Sequence, residues 1–195
     1  HDLVVVTDEV YEHLVFDGAQ HIAMASLPGM RERTLSISSG GKTFNTTGWK
    51  VGWLCGPAPL VQAARTAKQF LTYVAGGPFQ PAIALGLGLP ASFFHGIATD
   101  LQAKRDRLLP GLVQAGFTVY PTSGTYFVTV DIRPLQPDGD GMAFCRALPG
   151  HCRVVAIPNE VLYANKAAGR HLVRFAFCKR LDVLDEAVAR LRTLG

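Results

Sequence analysis

The apolar pattern changes texture near the middle of the chain. The first part carries short unbroken apolar runs set between loops rich in glycine and hydroxyl side chains. Leu3 to Val6, "LVVV", is such a run, with the continuous apolar character of a strand buried on both faces of a parallel sheet. "TLSIS" (Thr34 to Ser38) and "VGWLCG" (Val51 to Gly56) predict two more strands. About a dozen residues separate these two, too few for a comfortable helical crossover, so the third strand is predicted to run antiparallel to the second in an otherwise parallel sheet. Residues 58–73 have helical spacing, with Pro59 in the first turn, where its missing N–H has no intrahelical partner to lose.

The segment "GGPFQPAIALGLGLP" interrupts this pattern before a longer helix predicted from about Ala91 to Ala115. Leu101, Leu108, Leu109 and Leu112 give that helix an apolar face, and Lys104, Arg105 and Asp106 a polar one. Pro110 is expected to kink or split it. Beyond Gly116 the texture becomes short strands, "FTVYP", "TYFVTVDI", "RVVAIP" and "HLVRFAFC", with helices near 140–148 and 182–194. The expectation is an α/β part followed by a small α+β module, divided near Asp100 into residues 1–100 and 101–195.

Composition narrows the function classes. Of 195 residues 48% are hydrophobic and 17% charged, which excludes a disordered or fibrous chain. The net charge of +4 is spread over scattered arginines and lysines rather than a stripe, so nucleic acid is not an expected partner. No apolar run reaches the length of a membrane span, and no secretory leader is visible, so the expected setting is cytoplasmic, with no membrane partner. Cys55, Cys145, Cys152 and Cys178 form no CxxC pair and the histidines no HxxxH, so no metal site is expected. The chain opens at His1 and runs almost at once into strand-like sequence, which suggests a piece of something longer.

Three stretches carry chemistry. "TDEVY" puts Asp8 and Tyr11 at the carboxyl end of a strand, where open α/β sheets hold their ligands; an aspartate there also serves as a cap or a partner for a backbone amide. Ser38, Ser39, Gly40 and Gly41 precede Lys42 at the end of the next strand, a run of small residues suited to an anion nest. Lys50 lies where the chain turns back and could return to the same mouth. "GGKT" echoes the end of a phosphate-binding P-loop, but the first glycine of that motif would fall on Ser36, and "TFNTTGW" makes a poor first turn of the helix that loop requires. By itself, Arg174 in "VRFAF" reads as a strand arginine in a salt bridge.

Together, "DEVYEHLVFDG", "HIAMASLPGMRERTLSISSGGKTFNTTGWKVGW", "SGTYF", "VVAIP" and "VRFAF" resemble the class I, fold-type I pyridoxal-phosphate aminotransferases, in particular their kynurenine and glutamine aminotransferase branch. The resemblance implies the carboxyl-terminal half of such an enzyme. Residues 1–100 would be the last part of a mostly parallel three-layer cofactor domain, and residues 101–195 the small domain with the substrate clamp. It implies pyridoxal 5′-phosphate as cofactor, held by Lys42 as an internal aldimine, with Ser39 and Lys50 anchoring the phosphate. Many relatives carry arginine at the latter position; lysine keeps the charge and gives up the bidentate fork.

By the same resemblance Asp8 pairs with the pyridine nitrogen, Tyr11 hydrogen-bonds the cofactor's 3′-oxygen, and Arg174 clamps the substrate α-carboxylate. Tyr126 lines the substrate side, and Trp49 and Trp53 fall in the core. The implied reaction moves an amino group from an amino acid to a 2-oxo acid in a homodimer, the fragment alone being inactive. A C–S β-lyase, or a cofactor-binding regulator domain of aminotransferase type, would need the same lysine. Kynurenine, glutamine, methionine and succinyl-diaminopimelate all stay open as donors.

Overall fold

The computed structural model describes residues 1–194. The chain divides into two compact units, His1–Ala98 and Thr99–Gly195. In the first, β1 (Val5–Asp8), β2 (Thr34–Ser39) and β3 (Gly52–Cys55) form a three-stranded sheet in that order. β1 and β2 run parallel, with Asp8 opposite Ile37. β2 and β3 run antiparallel, as the short gap between them predicts, with Ser39 opposite Gly52. The sheet is therefore mixed.

β1 starts two residues later than the apolar run and ends on Asp8 itself. It is not buried on both faces: Val6 is 61% exposed, and Leu3 and Val4 ahead of it are also exposed. The segment between β2 and β3 is more ordered than a glycine loop. A one-turn helix, α1 (Gly40–Thr43), carries Lys42, and a 3-10 turn over Thr47–Trp49 precedes Lys50. Asn45 and Lys50 both take left-handed backbone angles, φ 54° and 56°, which lets the chain reverse twice within a few residues.

Helix α2 (Ala58–Leu71) starts with proline in its first turn, as expected. The glycine- and proline-rich segment after it holds a helix that the pattern does not predict, α3 (Phe79–Leu87). Gly40 is buried against it, for a Cβ on Gly40 would collide with the Ile83 side chain of α3. Helix α4 (Ala91–Gln114) then runs unbroken through Pro110, so the predicted split does not occur. A proline removes one N–H and crowds one carbonyl, and the remaining turns of so long a helix continue past it.

The second unit has an antiparallel sheet in the order β4-β5-β7-β6, built from β4 (Thr118–Val119), β5 (Phe127–Asp131), β6 (Ile157–Pro158) and β7 (Leu172–Ala176). Val128 pairs with Phe175 and Val130 with Val173, and all four are buried on one face. Phe117 packs edge-on against Phe144 of α5 (Gly141–Cys152) and Phe175. Gly111 of α4 abuts Val188 of α7 (Leu181–Leu191) so closely that any Cβ there would clash. Helix α6 (Lys166–Gly169) is a single turn that follows a 3-10 turn over Asn159–Leu162. Of "RVVAIP" only the last two residues join the sheet, because Arg153 takes a left-handed angle to end α5.

Candidate functional site

The sheet of the first unit presents a cavity of about 840 Å³. Asp8, Ser39, Lys42 and Lys50 all line it. Asp8 reaches it as the last residue of β1, with Oδ1 accepting the Val10 N–H at 3.2 Å. Ser39 is the last residue of β2 and the cap position of α1, and Lys42 follows one turn later, half-buried. Two hydrogen bonds fix that turn. The Gly40 N–H donates to the Val51 carbonyl at 3.1 Å, and the Thr46 hydroxyl donates to the Gly40 carbonyl at 3.1 Å. The left-handed angle at Lys50 then returns the chain to the cavity. Gly52 lies on its wall, where a Cβ would come within 3.0 Å of the Ser38 carbonyl oxygen.

The structure adds residues that the sequence reading did not assign to the site. Arg65 and Lys68 of α2 face the same cavity, with Val61, Ala64 and Thr72 on the same helical stripe. Their spacing of three and four was the available signal. The Lys68 ammonium donates to the Thr72 hydroxyl at 2.6 Å. Trp53, expected in the core, is half-buried on the cavity wall, while Trp49 stacks on Phe79 with ring centroids 4.7 Å apart. Four cationic side chains thus face a cavity whose lining includes a single carboxylate, that of Asp8, and such a field attracts an anion.

Tyr11 sits three residues beyond Asp8, half-buried in the turn after β1, its carbonyl accepting the Leu14 N–H at 2.8 Å. The same turn is braced by two glutamates. Glu12 accepts the buried Ser38 hydroxyl at 2.7 Å. Glu9 accepts hydroxyls from Thr7 and Ser36 and the Met24 N–H, and pairs with His21 at 3.1 Å. Burial opposes the charge on Glu9, but the Thr7, His21 and Met24 hydrogen bonds outweigh it and hold the carboxyl below its ordinary value.

Arg174 and Tyr126 belong to the second unit. Arg174 lies mid-strand in β7, paired with Thr129 on one side and Ile157 on the other. Its guanidinium carbon stands 4.3 Å above the Phe127 ring centroid. Its Nε is buried without a hydrogen-bond partner among the described residues, and it enters no ion pair among them. The salt bridge read from the strand alone is thus replaced by a stacked, unpaired cation. Tyr126 precedes β5, with its ring 4.5 Å from that of Phe127 and its carbonyl accepting the Phe177 N–H at 2.9 Å.

Comparison with known proteins gives a consistent result. A family model described as aminotransferase class I and II matches residues 1–191. A Mycobacterium tuberculosis protein named as a probable N-succinyldiaminopimelate aminotransferase, DapC, is 52% identical over 100% of this chain and 51% of its own length. Human kynurenine–oxoglutarate transaminase 1 is 36% identical over 97% of this chain and 50% of its own. Among solved structures, the N-succinyldiaminopimelate aminotransferase of M. tuberculosis superposes with a TM-score of 0.95 at 52% identity, over 100% of this chain and 50% of that one. The Escherichia coli protein YbdL, with a methionine aminotransferase function, does so at 0.91 and 35%, over 99% and 50%. The chain spans about half the length of the curated relatives it matches.

Proposed function

Because the chain belongs to the class I and II aminotransferases, a family dependent on pyridoxal phosphate, we propose that it supplies the lysine, the ring-nitrogen partner and the substrate clamp of an enzyme that moves an amino group from an amino acid to a 2-oxo acid. The observation that carries this reading is the convergence of Lys42, Asp8 and three further cations on one cavity. The cavity also fits the cofactor in size, since small-molecule sites occupy about 300–1,000 Å³. Its donor set suits a phosphate ester joined to a protonatable ring: Lys50 and the Ser39 hydroxyl for the phosphate, the Asp8 carboxylate for the ring nitrogen.

Pyridoxal phosphate supplies, when bound, an electrophilic carbon and a ring that withdraws electrons. The protein side chains do the rest. Lys42 Nζ would hold the cofactor, and once released it would take the proton from the amino acid Cα and deliver it to the cofactor carbon that the lysine had held. Asp8 keeps a proton on the ring nitrogen through its negative charge. Tyr11 donates a hydrogen bond to the ring oxygen. Arg174 binds the substrate carboxylate through its planar fork, and Tyr126 contributes to the wall beside it. The activity belongs to a full-length protein in which the first unit is part of a mostly parallel three-layer cofactor domain, with a homodimer as the active assembly.

Among donors, an N-succinylated diamino acid, the substrate in the name of the 52%-identical relative, is the first to test, followed by kynurenine and methionine. The test of the site is direct. The protein is titrated with pyridoxal phosphate, reduced with borohydride and digested. The cofactor mass is expected on the peptide holding Lys42. A label on Lys50, Lys68 or any other lysine overturns the assignment.

A further inference from the structure

The Nε of Arg174 is not alone, among the described residues, as a buried polar atom without a partner. Asn159 is 7% exposed, and its Oδ1 has no partner among the described residues. Its Nδ2 donates to the Thr129 hydroxyl at 3.4 Å. Thr129 is the direct cross-strand neighbour of Arg174, and side chains opposite each other in an antiparallel pair stand on one face about 4.5–5.5 Å apart at Cβ.

Topology narrows the placement further. β7 lies between β5 and β6. Asn159 follows β6 as the first residue of the 3-10 turn, one position past the Pro158–Val173 pair. To reach Thr129 on β5, its amide must extend over β7, where Arg174 is the cross-strand neighbour of Thr129. One buried donor, the Arg174 Nε–H, and one buried acceptor, Asn159 Oδ1, are both unfilled among the described residues, and Thr129 adjoins both side chains. An unfilled buried polar atom is expensive, and these two are complementary. The Thr129 hydroxyl accepts the Nδ2 donor and leaves the oxygen free, and the reversed amide would turn Nδ2 toward the Nε–H, donor against donor.

We infer that Asn159 is a positioning residue for the carboxylate clamp: with substrate bound, its Oδ1 accepts the Nε–H of Arg174, and the two terminal nitrogens of the guanidinium are thereby aimed as a fork at the substrate carboxylate. The guanidinium stacks on the Phe127 ring, a modest cation–π contact. Asn159 touches neither substrate nor cofactor and acts only through Arg174.

The inference rests on Arg174 as the clamp, and a double-mutant cycle in the full-length enzyme separates the two claims. Asn159→Leu, close in volume but without an acceptor, is expected to raise KM for the amino acid about tenfold, the scale of one hydrogen bond to a charged group. It should leave kcat and the affinity for pyridoxal phosphate unchanged. In an Arg174→Lys background, which has no Nε–H, the same change should add nothing. If Arg174→Lys itself leaves KM unaltered, the clamp reading fails, and this inference with it. If Arg174→Lys raises KM but Asn159→Leu has no effect, or an additive one, only the positioning role falls. Asn159→Ser, which removes the amide without adding an aliphatic chain, replaces the leucine variant if that one does not fold, with the same outcomes expected.

Discussion

The two units invest their apolar side chains in opposite ways. In the second, seventeen apolar residues are buried among those described, from Leu101 to Leu191, Phe117 packs between Phe144 and Phe175 of the buried β5–β7 face, and α4 closely approaches α7 at Gly111 and Val188. In the first, the buried set among the described residues is Val10, Leu14, Phe16, Val51 and Ile83, while Leu3, Val4, Val6, Ile37, Phe70 and Leu85 face outward. Hydrophobic burial is the main favourable term in folding, so the second unit holds the stability. The first presents the cavity lined by Asp8, Ser39, Lys42 and Lys50 on a sheet with Val6 and Ile37 exposed. The proposed cofactor groups thus sit in the more thinly packed unit, and the proposed clamp, Arg174, in the more densely packed one.

The comparison can be broken most sharply at Lys42. In the full-length enzyme Lys42→Ala should abolish turnover and the borohydride-stable link, while the protein still unfolds in one cooperative thermal transition, its loss of stability staying below the cost of a core truncation. Lys42→Arg should not rescue, because a guanidinium stays protonated. A large loss of stability in either variant would place the lysine in the structural class instead. The next effect is on packing. Leu112→Ala, at a side chain with no exposure, should cost about 2–5 kcal/mol, whereas Val6→Ala, at 61% exposure, should fall within about 0.5 kcal/mol. Equal costs by denaturant titration of this chain would remove the contrast.

Arg174→Lys should weaken amino acid binding by roughly ten- to a hundredfold, from about 1.5–3 kcal/mol for a charge-assisted hydrogen bond, with cofactor affinity unchanged by titration. The smallest effect is in acid. Glu9 is held low against its burial by its hydrogen bonds, and Asp131 by Arg133, with burial opposing. A carboxylate depressed in the folded state adds stability that is present above its unfolded value and is lost as pH falls through the folded one. Melting temperature should therefore hold steady down to the ordinary carboxylate values of 4.5 and 3.8 and decline below them. Glu9→Gln should flatten only the part contributed by the first unit, read from the exchange of the Met24 and Leu14 amides.

The same division governs how much was legible in the sequence. The antiparallel β2–β3 pair followed from the short gap alone, and the placement of Asp8, Ser39, Lys42 and Lys50 around one mouth followed from strand ends and a chain reversal. The motifs behind the resemblance carried the family. Helix α3 was hidden because Gly76, Gly77, Pro78 and Pro81 read as breakers, although Pro78 and Pro81 fall at and near its start, where proline is tolerated. Arg65 and Lys68 were overlooked because a solvated helix face shows the same charges. That Arg174 stacks on Phe127 rather than joining an ion pair among the described residues could not be read at all, since such contacts depend on neighbours that strand pairing, not spacing, brings in. The outward-facing valines of β1 belong to the same class: an apolar run reports what wants to be buried, and the covering surface is a separate fact.

The single helical turn that carries Lys42 bears on how the proposed proton transfer would proceed. Its backbone is clamped, with Gly40 against Ile83 and bonded to Val51, and with Gly41 close to Thr47. The amine hangs from that clamp on four rotatable methylenes. Side-chain rotation moves such an arm faster than the collective motion of a loop. A proton carried by such an arm moves without dragging solvent or backbone, so the rate of the proton-transfer step should be indifferent to added viscogen even where substrate entry and product release slow in proportion to it.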